Sequence, residues 1–291
     1  QLASGKNDDA AQTYIELTAL FPDALRERFA LSSLLVELNR TDEAEPYIDE
    51  LLSVNDQNVL LNHLKSSVEF AQENYHDSAE FAEKAILNGS TEPALRLIAG
   101  YSSYYLEKYE AVNRHLSYIE RQLPNDHPAL KVLADSKLRI GLTGEAGAVL
   151  SRIDGLDKND ASLLSTVSYQ LLQDGYVKNA RDLIDKASSL VDSTEDLTRL
   201  GVLQLSINNL DGIETLEMAA KESSQSNGDN RTNVIQRTLI GAYIDSGQND
   251  KALGLIAHWK ENSQSDIAPY MLKAKIHVKL NEIAQAKAEY T

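Results

Sequence analysis

Residues 96–124 read RLIAGYSSYYLEKYEAVNRHLSYIERQLP, and this stretch decides the fold. Apolar side chains recur at helical spacing on both sides of a corner at Lys108 and Tyr109. Gly100 lies midway along the first half, and Pro124 closes the second half. The stretch therefore predicts two helices that are joined by a tight turn.

The same unit recurs along the chain at a constant spacing. The small residue that opens the second helix returns every 34 residues, with one step of 38 before the last two units. These positions are Ala10, Ala44, Ser78, Val112, Ala146, Ala180, Glu214, Ala252 and Ala286. The turn positions follow the same rhythm: Gly5, Asn39, Glu73, Glu107, Gly141, Gly175, Asn209, Gly247 and Asn281. A 34-residue helix–turn–helix period is typical of the tetratricopeptide repeat (TPR), and the chain resembles this family over essentially its whole length.

The resemblance implies an all-α fold, a TPR-type right-handed superhelical solenoid of antiparallel helix pairs. We predict one solenoid over 1–291 with a soft break at 221–232, between 1–220 and 233–291. The predicted helices are a second helix at 8–21, seven pairs at 25–54, 59–88, 93–122, 127–155, 161–190, 195–222 and 233–262, and single helices at 267–280 and 284–291. Neither end carries a polar capping element, so we expect a piece of a longer repeat protein.

Two positions inside each first helix decide how the pairs pack. The family places a large aromatic residue at one of them, and this chain does not. That position holds Arg28, Asn62, Arg96, Leu130, Leu164, Thr198, Gln236 and Tyr270. The second is a small slot, filled by Ser32, Ser66, Gly100, Ala134, Ser168 and Ala274, with Val202 and Ile240 as exceptions. A larger side chain there would overpack the contact with the second helix, so we expect close helix approach at the small slots.

Composition and spacing argue against several classes of function. The formal net charge of −16 argues against a nucleic-acid partner, which needs a basic face. Cysteine is absent, which excludes disulfides and thiolate metal sites. None of the six histidines has metal-ligand spacing to another, and no serine or threonine lies in a nucleophile motif. No run of residues is long and apolar enough to predict a transmembrane segment. We therefore predict no enzyme, no metal and no cofactor.

In TPR proteins the first helices line a concave groove, so the resemblance implies a surface for a protein or peptide partner. The groove positions are the second, fifth, ninth, twelfth and thirteenth residues of each repeat. The predicted partner-binding residues are Phe29, His63, Phe70, Leu97, Tyr101, Tyr104, Tyr105, Lys131, Arg139, Tyr169, Arg199 and Arg237.

The centre of this groove is predicted at Leu97, Tyr101, Tyr104 and Tyr105, which share one helix face. Phe70 and Arg139 are expected to approach that face from the helices before and after it. The cations Lys131, Arg139, Arg199 and Arg237 would steer an acidic partner. Two interpretations of the tyrosines stay open, because the same residues could serve helix packing or partner recognition.

The sequence therefore predicts a non-enzymatic interaction scaffold. Two alternatives are a structural or self-associating spacer, joined through uncapped ends, and a carbohydrate-binding solenoid. Three segments, Asn74-Tyr75 with Ala85, Gly212 to Glu217 and Ser246 to Leu253, are similar to the TPR lipoprotein of the PEP-CTERM/exosortase system, the PrsT-like group. That similarity implies a bacterial envelope protein that acts in exopolysaccharide or protein export. It would be lipid-anchored in the periplasm or at the outer membrane; otherwise we expect the cytoplasm.

Overall fold

The computed structural model of the protein describes residues 7–224, 230–262 and 267–289. All regular structure in these ranges is helical, which confirms the predicted all-α solenoid class. Two short 3₁₀ helices lie at Glu120–Gln122 and Lys158–Asp160. The α-helices are α1 Asn7–Leu20, α2 Leu25–Glu37, α3 Thr41–Val54, α4 Val59–Ala71, α5 Tyr75–Leu87, α6 Pro93–Tyr105, α7 Tyr109–Ile119, α8 Ala129–Arg139, α9 Thr143–Arg152, α10 Ala161–Gln173, α11 Val177–Ala187, α12 Thr194–Ser206, α13 Asp211–Ser224, α14 Asn230–Asp245, α15 Asn249–Asn262, α16 Ala268–Lys279 and α17 Ile283–Ala288.

The chain divides into two compact units, Gln1–Gly155 and Leu156–Thr291, here called unit 1 and unit 2. In unit 1 each helix packs on the next one, and the first helices α2, α4, α6 and α8 also contact each other in order. In unit 2 the first helices α10, α12, α14 and α16 do the same. Each unit is thus an α-solenoid of helix pairs. The single solenoid with a break at 221–232 stays a prediction.

The observed helix bounds lie within three residues of the predicted ones. The turn expected at Gly5, residues 225–229 of the expected break and the chain end at 290–291 lie outside the described residues. Within the described ranges, no helix is both long and apolar enough to cross a membrane.

The turn between the two helices of a repeat depends on one residue in the left-handed region. Asn39, Glu73 and Glu107 have φ of 57°, 63° and 56° in unit 1, and Gly141 has 80°. Such a residue lets the next N–H reach back to the last turn of the helix: Arg40 N donates to Leu35 O at 2.8 Å. The first helix therefore ends at the same place in each repeat, and the chain reverses into the second helix.

The predicted register is wrong in the α12–α13 repeat. The left-handed residue there is Asn208 (φ 59°), one residue before the predicted Asn209. The small slot is taken by buried Gly201, whereas the predicted Val202 is 40% exposed. A Cβ on Gly201 would lie 2.7 Å from Leu216 Cγ, so the contact leaves no room for a side chain.

The slot that opens the second helix is also displaced in this repeat. Gly212 is buried and faces the Gly201 carbonyl oxygen, whereas the predicted Glu214 is exposed. The two slots are 11 residues apart here, against 12 between Gly100 and Val112. Relative to the 34-residue period, the chain is therefore one residue shorter before the Gly201 slot and one residue shorter between the Gly201 and Gly212 slots. The predicted step of 38 residues, four more than the period, started from Glu214. Counted from Gly212, the step to Ala252 is 40 residues, so six extra residues lie between α13 and α14.

Polar residues in the aromatic slot of unit 1 find partners among their neighbours. Arg28 forms an ion pair with Glu50, and Arg96 Nη1 lies 3.2 Å from His115 Nδ1. The amide of Asn62 donates to the carbonyl oxygens of Asp56 and Asn58, each at 2.8 Å. These contacts offset part of the desolvation cost of the buried polar groups, whereas Arg28 Nε, Asn62 Oδ1 and Arg96 Nε have no hydrogen-bond partner among the described residues.

Candidate functional site

Unit 1 carries a cluster of six aromatic side chains from four consecutive helices, here called the aromatic surface. Tyr75 and Tyr105 stack with ring centroids 4.1 Å apart and an interplanar angle of 13°. Phe70 meets Tyr75 edge-on at 5.7 Å and lies 6.5 Å from Tyr101. These four rings form one connected row. The surface comprises Phe70 of α4, Tyr75 of α5, Tyr101, Tyr104 and Tyr105 of α6, and Tyr109 of α7.

The repeat geometry explains why these rings meet. Tyr101, Tyr104 and Tyr105 are spaced i, i+3 and i+4 on α6, so they share one face. Tyr75 and Tyr109 were not predicted as site residues. Each opens a second helix just after the left-handed turn residue, which returns it beside the end of the preceding first helix. Their spacing of 34 residues was the available signal.

Tyr104 and Tyr109 form a second pair of rings, and both contact charged side chains of α8. The Tyr104 hydroxyl donates to Asp135 Oδ2 at 2.8 Å, and Arg139 Nε donates to the same oxygen at 2.7 Å. The Arg139 guanidinium lies 4.9 Å above the ring of Tyr109, which meets Tyr104 edge-on at 6.1 Å. Burial and the Asp135 bond raise the pKa of Tyr104 to about 12, so its hydroxyl stays protonated at neutral pH.

The rings of the aromatic surface differ in how much solvent they meet. Tyr105 is 57% exposed, although it stacks on a neighbour. Tyr101 and Tyr104 are half-buried, and burial raises the pKa of Tyr101 as well. Tyr101 therefore contributes mainly to helix packing, whereas Tyr105 exposes more than half of its surface to solvent. Each of the two interpretations of the tyrosines fits one of these residues.

The groove positions of α4 and α6 carry no Lys, Arg, Asp or Glu, although 25% of the chain is charged. We call these ten residues the uncharged stripe. None of them is buried, so all ten contribute to the surface. Charges return on the flanking first helices, with Glu37 on α2 and Arg139 on α8. The stripe consists of Leu60, His63, Ser67, Phe70, Ala71, Ala94, Leu97, Tyr101, Tyr104 and Tyr105.

The structure brings together only part of the predicted site. Phe70, Leu97, Tyr101, Tyr104 and Tyr105 lie on α4 and α6, and Arg139 borders them from α8. The other residues predicted in unit 1 lie on α2, α4 and α8, and three belong to unit 2. In unit 1 they are Phe29, His63 and Lys131, and in unit 2 they are Tyr169, Arg199 and Arg237.

Two of the predicted steering cations are already neutralised. Arg139 pairs with Asp135, and Arg199 pairs with Glu195, in each case four residues earlier on the same helix. Arg199 also donates to Ser162 Oγ at 3.1 Å. The corrected register further places Thr198, not Arg199, at the position equivalent to Leu97. The electrostatic attraction of these arginines for an acidic partner is therefore weaker than their formal charges imply.

A separate cleft of about 300 Å³ opens between α2, α3 and α4 in unit 1. Its lining includes the predicted Phe29 and other apolar side chains, together with Arg26, Asn55 and Asn58. Asn58 caps α4, because its Oδ1 accepts from Leu61 N at 3.0 Å. None of the tyrosines of α6 lines this cleft.

One group of possible metal ligands occurs in the part of the chain that the structure describes. It consists of His76, Asp77 and Glu80 at the start of α5, and all three are exposed. His76 Nδ1 and Asp77 Oδ1 are 3.0 Å apart, so the group is already joined by an internal contact. Exposed polar neighbours of this kind are ordinary on a helix start.

Solved structures of TPR proteins share this arrangement of helix pairs. The structure of YrrB, a TPR protein with an unusual peptide-binding site, matches with a TM-score of 0.51 and 18% identity over 61% of this chain and 91% of that one. The chain has the TPR fold. No family model and no curated protein matches it.

Two further solved structures match over more of the chain at lower similarity. A TPR protein from Parabacteroides merdae has a TM-score of 0.44 and 14% identity, covering 82% of this chain and 93% of its own. PilW, a type IV pilus biogenesis factor, has a TM-score of 0.41 and 14% identity, covering 80% and 92%.

Proposed function

We propose that this TPR protein is an interaction scaffold that binds a segment of a partner protein on the aromatic surface. The observation that carries the proposal is the position of Tyr105, which is 57% exposed and stacked on Tyr75 within a row of rings. A supported aromatic ring with a polar tip gives large contact area at little entropic cost. Packing alone does not require so much exposed ring area.

The fold supports this proposal from a second direction. YrrB, a TPR protein of the same fold, has a peptide-binding site. We place recognition on the rings rather than on the predicted cations, because Arg139 and Arg199 already have carboxylate partners. The partner segment therefore need not be acidic.

Site-specific photocrosslinking tests the proposal. A benzoylphenylalanine in place of Tyr105 is compared with the same label in place of Tyr118, which is also 57% exposed but lies on the second helix of the same repeat. We expect a partner adduct from position 105 in a lysate of the source cells, and none from position 118. Equal adducts at both positions would overturn the site.

The same experiment separates the alternatives. An adduct between two copies of the chain would favour the self-associating spacer. A Tyr105→Ala variant that keeps its melting temperature and loses the adduct would tie binding to the ring. A large fall in melting temperature in that variant would instead make Tyr105 a packing residue.

We further propose a role in exopolysaccharide or protein export at the bacterial envelope. The observation that supports this part is the sequence similarity to the PrsT-like group. Within the similar segments, Gly212 to Glu217 lies where the register departs from the 34-residue period. Genes for an exosortase system beside the gene for this chain would support the role, and their absence would remove it.

A further inference from the structure

The uncharged stripe limits what the partner can present. A charged side chain laid against α4 or α6 would lose water and find no opposite charge among the groove positions there. His63 adds none, because burial lowers its pKa and keeps the imidazole neutral at pH 7. The stripe therefore favours an uncharged segment, and the charges beside it are Glu92 near His63 and the paired Asp135 and Arg139 next to Tyr104.

The rings do not form a flat apolar floor. Tyr75 and Tyr105 are nearly parallel at 13°, whereas Phe70 and Tyr101 are tilted at 55° and Tyr104 and Tyr109 at 70°. The rings of this surface are therefore not coplanar. Aromatic side chains line the grooves that bind proline-rich segments, and six such side chains lie together here.

The tyrosines also bring hydrogen-bond donors to the surface. A tyrosine hydroxyl is protonated at neutral pH and can donate to a carbonyl oxygen. Within a helix the carbonyls are already used, whereas a polyproline II segment has no internal hydrogen bonds and leaves all its carbonyls free. An extended proline-rich chain can therefore accept hydrogen bonds from tyrosine hydroxyls more readily than a helix can.

We propose that the aromatic surface binds an uncharged, proline-rich segment in the polyproline II conformation. Proline rings would pack against the rings of Tyr101 and Tyr105. The free carbonyls would accept from tyrosine hydroxyls of the surface other than that of Tyr104, which donates to Asp135. The inference rests on the proposed function, because it names the chemistry of the segment that the scaffold would bind.

Fluorescence anisotropy with three labelled peptides tests the inference. The probes are decaproline, a decaproline in which every third residue is glutamate, and a neutral amphipathic helix of alanine, leucine and glutamine. We expect decaproline to bind more tightly than either other probe. Tyr105→Ala should weaken it at least tenfold, Tyr105→Phe three- to fivefold, and the matched Tyr118→Ala not at all.

The outcomes separate the inference from the function beneath it. Decaproline binding that is insensitive to Tyr105→Ala overturns the inference, as does tighter binding of the helical or glutamate peptide. If the helical peptide binds through Tyr105, or if the photocrosslink forms without decaproline binding, the inference fails and the scaffold stands. Failure of all three peptides and of the crosslink removes both. Retained melting temperatures in the variants exclude unfolding as the cause.

Discussion

Two helix pairs, α6–α7 and α12–α13, use the same packing contact in different ways. In both, a glycine of the first helix lies under a leucine of the second: Gly100 under Leu116, and Gly201 under Leu216. In α12–α13 a second glycine, Gly212, faces this contact. A Cβ on Gly212 would lie 2.5 Å from the Gly201 carbonyl oxygen and 3.0 Å from the backbone nitrogen of Leu205.

The difference lies in what each glycine touches. The three atoms nearest to a Cβ on Gly100 would all belong to the Leu116 side chain, with Cδ2 at 2.5 Å and Cγ at 2.7 Å. A leucine side chain can change rotamer, whereas a helix backbone moves only with its whole helix. Gly100 and Gly212 are therefore similarly crowded, but we expect Gly100 to tolerate a larger residue better than Gly212 does.

The largest effect is expected for Gly212→Ala. The new methyl group meets backbone on the facing helix, so we expect a loss of about 3 kcal/mol in the free energy of unfolding. Urea denaturation of the chain measures it. The matched control is Gly241→Ala in α14, where a Cβ would meet nothing within 4 Å and helix propensity should give a gain of up to about 1 kcal/mol. Equal effects of the two variants would contradict the close backbone contact.

Gly100→Ala should be the milder counterpart. We expect a loss of about 1 kcal/mol, because Leu116 can shift and alanine improves helix propensity. In a Leu116→Ala background the loss should shrink further, since the obstructing side chain is gone. Gly212→Ala should keep most of its cost when Leu216 is truncated in the same way. A double-mutant cycle on each pair measures the contrast, and equal coupling in both would argue against it.

The two pairs should also respond differently to pH. In α6–α7 the buried His115 lies between Arg96 and Glu83, with Nε2 at 2.9 Å from Glu83 Oε1. Arg114 is the other charge that faces it. Arg96 can donate only to an unprotonated Nδ1, so the neutral imidazole fits. The buried polar side chains Gln204 and Thr215 of α12–α13 do not titrate, and they share a hydrogen bond of 2.7 Å.

Burial lowers the pKa of His115, against the opposing charge of Glu83. The unfolded chain then binds the proton more readily, so stability is lost as the pH falls below the ordinary histidine value of about 6.5. We expect the urea midpoint to fall between pH 7 and 5.5, and His115→Gln to reduce that fall. The control is His76→Asn, because that side chain is exposed at the start of α5. An unchanged pH dependence in His115→Gln would contradict this account.

The smallest effect concerns the turns. Glu107 ends α6 with φ of 56°, and Asn208 ends α12 with φ of 59°. Asparagine tolerates the left-handed region better than glutamate does, and glycine better than either. We expect Glu107→Gly to gain about 0.5–1 kcal/mol and Asn208→Gly less. Thermal melting of the two variants gives the order, and the reverse order would refute the explanation.

The sequence predicts the fold well because its evidence is repeated many times. The helix bounds follow from a period that recurs in every repeat, and one displaced residue barely changes them. The register of α12–α13 is different, since Gly201 and Val202 are neighbours and the 34-residue count selects the wrong one. The 11-residue spacing of Gly201 and Gly212 identifies the helix contact only once the structure shows which backbone atoms face Gly212.

The sequence predicts which helix face carries the candidate site, but it does not predict the side-chain contacts within it. Helical spacing places Tyr101, Tyr104 and Tyr105 on one face of α6. The stacking of Tyr105 on Tyr75 depends on side-chain conformations after a turn, which no spacing rule gives. The hydrogen bond from Tyr104 to Asp135 likewise depends on how α8 lies against α6. Partner binding by these residues stays a prediction.

The two missing residues around α12 have a consequence for the history of the chain. Repeat proteins grow and shrink when blocks of one period are duplicated or exchanged, which keeps neighbouring interfaces in register. A 34-residue block exchanged into the α12–α13 place would bring a side chain where only Gly212 fits. We therefore expect lineages to keep this pair whole, to change Gly201 and Gly212 together, and to duplicate repeats on either side of it.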